Sequence, residues 1–133
     1  MIGAADIVKV SCVDLDWLLP GGDPDDWARQ RVAENTSLVV LTAGGDGARA
    51  FSRSRLIHQP AEAVAVVDTV GAGDAFTGGL LASLQQQGCL YREKLSALTD
   101  KELRTALQFA ARVAAVTCAR AGADPPWASE LSL

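Results

Sequence analysis

The chain has 133 residues, enough for one domain with its own core, and its 49% apolar and 21% charged residues are typical of a folded protein. The net charge of −4 argues against a nucleic-acid partner, which would need a basic face. The three cysteines are widely spaced and form no Cys-x-x-Cys pair, so neither a zinc site nor a disulfide framework is indicated. No segment reads as a membrane span, and the start, Met1–Asp6, lacks the features of a signal peptide, so we expect a cytoplasmic protein.

The first predicted element is a strand. Ile7–Val10 is a short run rich in β-branched residues. Ser11 follows it and Asp14 comes three residues later, which is the spacing of a capping box with Asp in place of the usual Glu. The pattern therefore predicts a short helix that begins after Ser11 and ends before Pro20.

A second helix is predicted after a glycine-containing loop. Asp23 can cap this helix, Pro24 suits its first position, and the helical pattern continues to Asn35. Trp27 and Val32 lie along one face of it. We expect Trp27 to pack against other side chains rather than to stack on a ligand.

The next predicted element is a buried strand. Ser37–Thr42 is a nearly continuous apolar run, which is typical of a strand covered on both faces in a parallel sheet. It leads into a turn that contains Gly44 and Gly47. Parallel sheets bind ligands at the carboxyl ends of their strands. Taken alone, the two glycines are most simply hairpin-turn residues.

Three shorter segments alternate or run apolar with polar breaks: Ala48–Ser52, Leu56–His58 and Ala63–Val67. They predict a small antiparallel edge after the parallel strands. His58 is the single histidine, and no other metal-ligand residue clusters with it in the sequence. We therefore expect it to face solvent.

A glycine turn, Gly71-Ala72-Gly73, lies between a predicted strand, Val64–Val67, and a predicted helix, Ala75–Gln87. Its residues are small enough for the backbone to approach a ligand closely. A turn of this kind at the start of a helix directs unpaired N–H groups at one point, and the helix dipole makes that point positive. The turn is therefore a candidate site for a phosphate or a developing oxyanion.

Asp74 lies in the same turn, and two interpretations of it are open. A carboxylate beside an anion site cannot serve to bind the anion, because like charges repel each other. It would make sense as a base that removes a proton from a hydroxyl, which then attacks phosphorus. An aspartate at a helix start is also commonly a cap or a partner of the helix dipole.

The last predicted helix begins at Thr99, after a polar stop at Gln85–Gly88. Apolar residues recur along it at helical spacing: Leu103, Leu107, Ala110, Ala111, Ala114 and Ala115. Because this stripe is rich in alanine, we expect the helix to pack closely on a neighbouring element.

The whole string Asp68–Leu81, DTVGAGDAFTGGLL, resembles the C-terminal signature of the ribokinase/PfkB carbohydrate kinase family. The resemblance implies an α/β, Rossmann-like ribokinase fold and an ATP-dependent sugar kinase. It implies that Asp74 is the catalytic base and that the amides of Gly71, Ala72 and Gly73 form an anion hole. It also assigns Thr69 to nucleotide binding.

Two earlier stretches resemble further family motifs. Ser11 and Asp14 match an Asn-x-x-Glu element that in relatives helps to organise magnesium and phosphate through water, although here the carboxylate is shorter. A plain helix cap remains the alternative for this pair. Thr42, Gly44 and Gly47 resemble the family's Thr-x-Gly-x-x-Gly turn, which borders the ribose and phosphates of the nucleotide.

The stretch Phe109–Pro126 resembles the family's C-terminal helix, which walls the adenine pocket in relatives. Carbonyl groups near the end of that helix help to hold a monovalent cation there. The matching positions in this chain are Asp68, Val70, Ala119 and Gly122. Oxygen ligands suit a hard cation, so the resemblance implies K⁺ as well as ATP and Mg²⁺.

The resemblance covers nearly all of residues 1–133 but only the C-terminal half of the family pattern, and it is closest to the bacterial fructokinase branch. The sugar-binding motif and the lid of the first half are not found. We therefore expect the Ile7–Val10 strand to leave an open sheet edge, covered by a second chain or homo-oligomer or by more of a longer or split gene product. Three functions stay open: a fructokinase-like sugar kinase; a non-catalytic ATP-binding fragment or half of a split kinase; and a kinase for a nucleoside or other alcohol.

Overall fold

The computed structural model describes residues 5–53 and 55–131, so the start of the chain, on which the signal-peptide expectation bears, lies mostly outside the described residues. The elements are β1 Ile7–Ser11, α1 Cys12–Leu18, α2 Pro24–Glu34, β2 Leu38–Thr42, β3 Ala48–Ser52, β4 Arg55–Gln59, α3 Ala72–Gln86, α4 Arg92–Leu95 and α5 Asp100–Cys118. Short 3₁₀ turns cover Gly44–Asp46 and Ala128–Glu130.

The four strands form one sheet in the order β1-β2-β3-β4. β1 and β2 are parallel, with Ser11 opposite Thr42, whereas the other two pairs are antiparallel. This confirms the predicted parallel pair followed by an antiparallel edge. Within the described residues β1 pairs on one side only, which agrees with the expected open edge.

Helices cover both faces of the sheet, which confirms the α/β prediction. Leu38 and Val40 of β2 pack in the core formed with α3 and α5. Val39 and Leu41 pack on the other face, in the core formed with α1 and α2. All four side chains are fully buried, because alternate residues of a strand point to opposite faces.

The predicted caps form at the first two helices. The Asp14 N–H donates to Ser11 Oγ at 3.0 Å, and the Asp25 N–H donates to Asp23 Oδ1 at 2.8 Å. Pro24 is the first residue of α2, as predicted. These local signals explain why the helix starts could be predicted from the sequence.

The helices α3 and α5 pack closely, as the alanine-rich stripe predicted. A β-carbon added to Gly79 would lie 3.1 Å from Cα of Ala110. Gln87 contacts Glu102 and Gly71 approaches Ala123, so the two helices run antiparallel. The start of α3 therefore lies beside the end of α5. Within the described ranges, every helix is too short or too polar to cross a lipid bilayer.

The prediction of a strand over Ala63–Val67, which includes the shorter run Val64–Val67, is wrong. Residues 60–69 form neither helix nor strand, and Val66 is 62% exposed. The N–H groups of Val67 and Asp68 both donate to the carbonyl of Cys118, at 2.8 and 3.1 Å. These hydrogen bonds attach residues 67–68 to the end of α5 and not to a strand. A segment with high β propensity forms a strand only where a partner strand is available to pair with it.

A capping box begins α5 and contains an acidic group of unusual pKa. The Glu102 N–H donates to Thr99 Oγ1 at 3.1 Å, and the Thr99 N–H donates to Glu102 Oε1 at 3.0 Å. Glu102 also pairs with Lys94 at 3.1 Å. The Thr99 N–H first, and Lys94 next, lower the pKa of Glu102 from 4.5 to about 2.

Because this pKa is lower in the folded chain, the stabilisation is complete above pH 4.5 and is lost as the pH falls towards 2. We expect Glu102→Gln to lower the free energy of unfolding by about 1–2 kcal/mol at pH 7 and to flatten its pH dependence below 4.5. Urea titrations at several pH values measure both effects. Glu93→Gln, which removes an exposed carboxylate from α4, is the control. Equal acid dependence in parent and Glu102→Gln would refute the assignment.

Candidate functional site

The candidate site lies at the carboxyl edge of the parallel strands. Ser11 and Thr42 end β1 and β2 side by side, and Asp14 lies in the first turn of the helix that follows β1. A β-carbon added to Gly73 would lie 3.3 Å from Nζ of Lys9, a β1 residue. This contact places the start of α3 beside β1, at a residue two positions before the carboxyl end of that strand.

The turn before α3 leaves backbone donors free. Gly71 is the N-cap residue in the left-handed region, with φ at +78°, and none of the described side chains caps the helix. The Ala72 N–H is used, because it donates to the Thr69 carbonyl at 3.2 Å. The N–H groups of Gly71, Gly73 and Asp74 have no hydrogen-bond partner within the described part of the chain. The N–H groups free to bind a ligand are thus those of Gly71, Gly73 and Asp74, whereas the role of Ala72 in an anion hole stays a prediction.

Asp74 lies in the first turn of α3 and is exposed. Among residues 5–53 and 55–131 its carboxylate accepts no hydrogen bond and makes no ion pair. The carboxylate is therefore open to solvent directly beside the free N–H groups. An interaction with the helix dipole is available to it, but a hydrogen-bonded cap is not formed.

Asp68 ties the turn before α3 to the turn after α5. Its Oδ1 accepts the Val70 N–H at 3.0 Å and its Oδ2 accepts the Gly122 N–H at 3.0 Å. These two bonds, Val70 first, lower the pKa of Asp68. Ala119, the C-cap residue of α5, follows Cys118, whose carbonyl accepts the N–H of Asp68. The four residues that the resemblance assigned to a cation therefore lie in one region.

The turn after β2 behaves as a structural hairpin. The Ala43 N–H donates to the Gly47 carbonyl at 2.8 Å, and Thr42 pairs with Ala48 across the antiparallel strands. Gly47 is buried, and a β-carbon added to it would lie 2.2 Å from the Gln59 carbonyl oxygen. The backbone contact gives a structural reason for glycine at position 47, whereas a β-carbon added to Gly44 would meet no described residue within 4 Å.

Two cavities lie outside this edge. One of about 800 Å³ is lined by residues at the starts of β1 and β2 and at the turn between β3 and β4, so it lies at the opposite end of the sheet from Asp74. The other, of about 560 Å³, lies between residues 59–62 and the helices α3 and α5. Phe109 and Arg112 of α5 line this second cavity, and Arg112 pairs with Glu62 at 3.9 Å.

Lys9 was not identified from the sequence as a residue of the candidate site, although its Nζ lies beside Gly73. Ile7 of β1 packs against the core of α3 and α5, whereas Val8 and Val10 pack on the opposite face. The alternation along the strand places Lys9 on the same face as Ile7. The available signal was a lysine at a core-facing position within an apolar run.

Comparison with known proteins identifies clear similarities. Residues 1–130 match the model of the pfkB family carbohydrate kinase. The fructokinase of Rhizobium leguminosarum bv. trifolii is 42% identical over 104 residues, which cover 78% of this chain and 32% of that protein. The crystal structure of fructokinase with bound ATP from Xylella fastidiosa superposes with a TM-score of 0.81 at 29% identity, over 92% of this chain and 39% of that one.

A double mutant of fructokinase from Vibrio cholerae O395, in a form with fructose, ADP and potassium ion, superposes with a TM-score of 0.75 at 29% identity. That alignment covers 92% of this chain and 37% of the other. These similarities confirm the predicted resemblance and a partial ribokinase fold. The chain spans about a third of the length of the curated relatives it matches.

Proposed function

Because this chain belongs to the pfkB family of carbohydrate kinases, we propose that it is the nucleotide-binding and base-bearing part of an ATP-dependent kinase for fructose or a similar sugar. The observation that carries the proposal is the start of α3. There the solvent-facing carboxylate of Asp74 lies beside the N–H groups of Gly71 and Gly73, which have no partner in the described residues. The similarity to fructokinases supports the choice of sugar.

In the proposed reaction, Asp74 accepts the proton of a sugar hydroxyl. The hydroxyl oxygen then forms a bond to the γ-phosphorus of ATP, while the bond from that phosphorus to the β–γ bridging oxygen breaks and ADP leaves. The N–H groups of Gly71 and Gly73 stabilise the charge on the transferred phosphoryl group. The Ala72 N–H joins them only if its bond to the Thr69 carbonyl opens.

The rest of the nucleotide is proposed to lie along the same edge. Thr42 and Gly44 are assigned to the ribose and phosphates, since the turn after β2 leaves Gly44 exposed at the carboxyl end of the strand. Thr69 is exposed next to the glycine turn and is assigned to the phosphates. Gly47 is proposed to act through its backbone, by holding the turn against residues 59–61.

The residues present fit magnesium only as an ion held mainly by phosphate and water. No group of three or more His, Cys, Asp or Glu side chains that could hold a metal occurs in the described residues. Asp14 is an exposed carboxylate at the site's edge and would contact the ion through water. When bound, magnesium would neutralise part of the charge on the phosphates.

A monovalent cation such as K⁺ is proposed to bind near the end of α5. Asp68 joins Val70 and Gly122 through its carboxylate, which holds the two turns together. Their carbonyl oxygens, with that of Ala119, would supply the hard ligands that such an ion prefers. The cation would stabilise the turn that carries the free N–H groups.

The sugar-binding groups are proposed to come from outside this chain segment, because none of the family's sugar motifs is found in it. The free edge of β1 is where they would join, through more of a longer polypeptide, a second chain or a second copy. Trp17 on α1, the helix that follows β1 in the chain, is 82% exposed and adds apolar surface.

Titration of ATP into the 133-residue chain by calorimetry, with magnesium and potassium, tests the proposal. We expect micromolar binding by a defined dimer or larger species, with the mass taken by light scattering on the same sample. A well-folded sample that binds no ATP would refute the nucleotide assignment.

A second experiment measures the release of ADP in the presence of fructose, which separates a kinase from a non-catalytic ATP-binding module. Replacing fructose with nucleosides tests the alternative acceptor.

A further inference from the structure

We infer that Lys9 is a phosphate-binding residue of this site and that its ammonium group binds the phosphoryl group that is transferred. The inference rests on the proposed function, because it takes the start of α3 as the place of that group. It adds a cationic side chain to the start of α3, where the other groups are backbone donors and the Asp74 carboxylate.

The placement of Lys9 on its strand is the first step. β1 alternates, so that Ile7 faces the core of α3 and α5 while Val8 and Val10 face the opposite core. Lys9 shares the face of Ile7 and is half-buried. A lysine at such a position loses hydration, so it is expected to have a partner for its charge at the end of its side chain.

The partner is missing among the residues that the structure describes. Lys9 makes no ion pair with Asp74 or with any other described carboxylate. Its Nζ lies instead against Gly73, at 3.3 Å from the position of an added β-carbon. Gly73 is in the first turn of α3, where the helix dipole is positive.

A cation at the positive end of a helix is repelled in the absence of an anion. An anion at this point would receive the Lys9 ammonium, the helix dipole and the free N–H groups of Gly71 and Gly73 together. Lysine is a compact point charge with three donors and no acceptor, which suits a phosphate better than a sugar hydroxyl. Because the side chain of Gly73 is a hydrogen atom, it leaves room for both the ammonium and the ligand.

The phosphate that Lys9 would bind is the γ-phosphate of ATP, which is the group transferred. Asp74 follows Gly73 directly and must reach the hydroxyl that attacks phosphorus, so the phosphate beside Gly73 is the terminal one of ATP. ADP lacks this group. Loss of the Lys9 charge should therefore weaken ATP binding much more than ADP binding.

The test compares Lys9→Met, which keeps the length of the side chain, with Lys9→Arg, which keeps the charge, in the 133-residue chain. Lys101→Met, at an exposed position of α5, controls for net charge. Calorimetry with ATP and with ADP, in magnesium, is the readout. We expect Lys9→Met to weaken ATP binding about tenfold or more and ADP binding less than about threefold, with Lys9→Arg and Lys101→Met near the parent.

Thermal unfolding without ligand separates binding from folding. Lys9→Met is expected to unfold at the same or a higher temperature, because it removes a cation from the positive end of α3. A lower unfolding temperature with equal losses for ATP and ADP would make Lys9 a structural residue and overturn the inference. So would ATP binding by Lys9→Met at the parent's affinity, while leaving the proposed function intact. A parent chain that binds no ATP would remove the proposed function itself, and this inference with it.

Discussion

Asp74→Asn is expected to lower the rate of phosphoryl transfer about a hundred- to ten-thousandfold while ATP affinity changes less than about threefold. Asparagine has nearly the same shape but cannot accept the hydroxyl proton. The carboxylate is exposed and accepts no hydrogen bond from the described residues, so its replacement leaves the packing of α3 undisturbed. The loss should therefore appear in kcat rather than in nucleotide binding.

Initial rates of ADP release with fructose, on the assembly that contains this chain, measure the effect. Asp16→Asn, which changes another exposed carboxylate on α1, is the matched control and should keep the parent rate. The alternative interpretation of Asp74, a partner of the helix dipole, predicts the reverse pattern. It would leave the rate unchanged and lower the free energy of unfolding by about 0.3–1 kcal/mol.

Much of the fold could be predicted because its signals are local. Ser11, Asp23 and Thr99 each lie next to the backbone groups that they cap, so a few neighbouring residues were enough to predict where each helix begins. The apolar run of β2 predicted a strand buried on both faces for the same reason, since burial on two faces removes the alternation between polar and apolar residues.

The errors came from interactions between distant parts of the chain. Val64–Val67 has the composition of a strand, but the N–H of Val67 donates to the carbonyl of Cys118 at the end of α5, which no local pattern indicates. The contact of Lys9 with Gly73 likewise joins residues far apart in the sequence. In both cases the tertiary partner, and not the local propensity, decides the outcome.

The candidate site likewise has features that the sequence could predict and features that it could not. Its residues were predicted as a set because the string Asp68–Leu81 is contiguous, and its position at the strand ends follows from the parallel pair. The hydrogen-bonded state of each group was not predictable. The Ala72 N–H donates to the Thr69 carbonyl. The side chain of Asp68 accepts the N–H of Gly122, which follows α5 in the sequence.

Gly47→Ala is expected to have the largest effect on stability, although the resemblance assigned this glycine to nucleotide binding. Gly47 has φ at +88° and ψ at −149°, a region that is essentially limited to glycine. An added β-carbon would lie 2.2 Å from the backbone oxygen of Gln59 and 3.0 Å from Cα of Pro60. Backbone atoms cannot move aside as a flexible side chain can, so strain and overpacking both oppose the folded state.

We expect the free energy of unfolding to fall by about 3 kcal/mol or more, measured by urea titration of parent and variant. Gly45→Ala is the matched control in the same turn, because a β-carbon there meets no atom of the described residues within 4 Å. It should stay within about 1 kcal/mol of the parent. If Gly47→Ala were equally harmless for stability yet lost ATP binding, the glycine would serve the nucleotide directly, and the contact with residues 59–61 would not be what requires it.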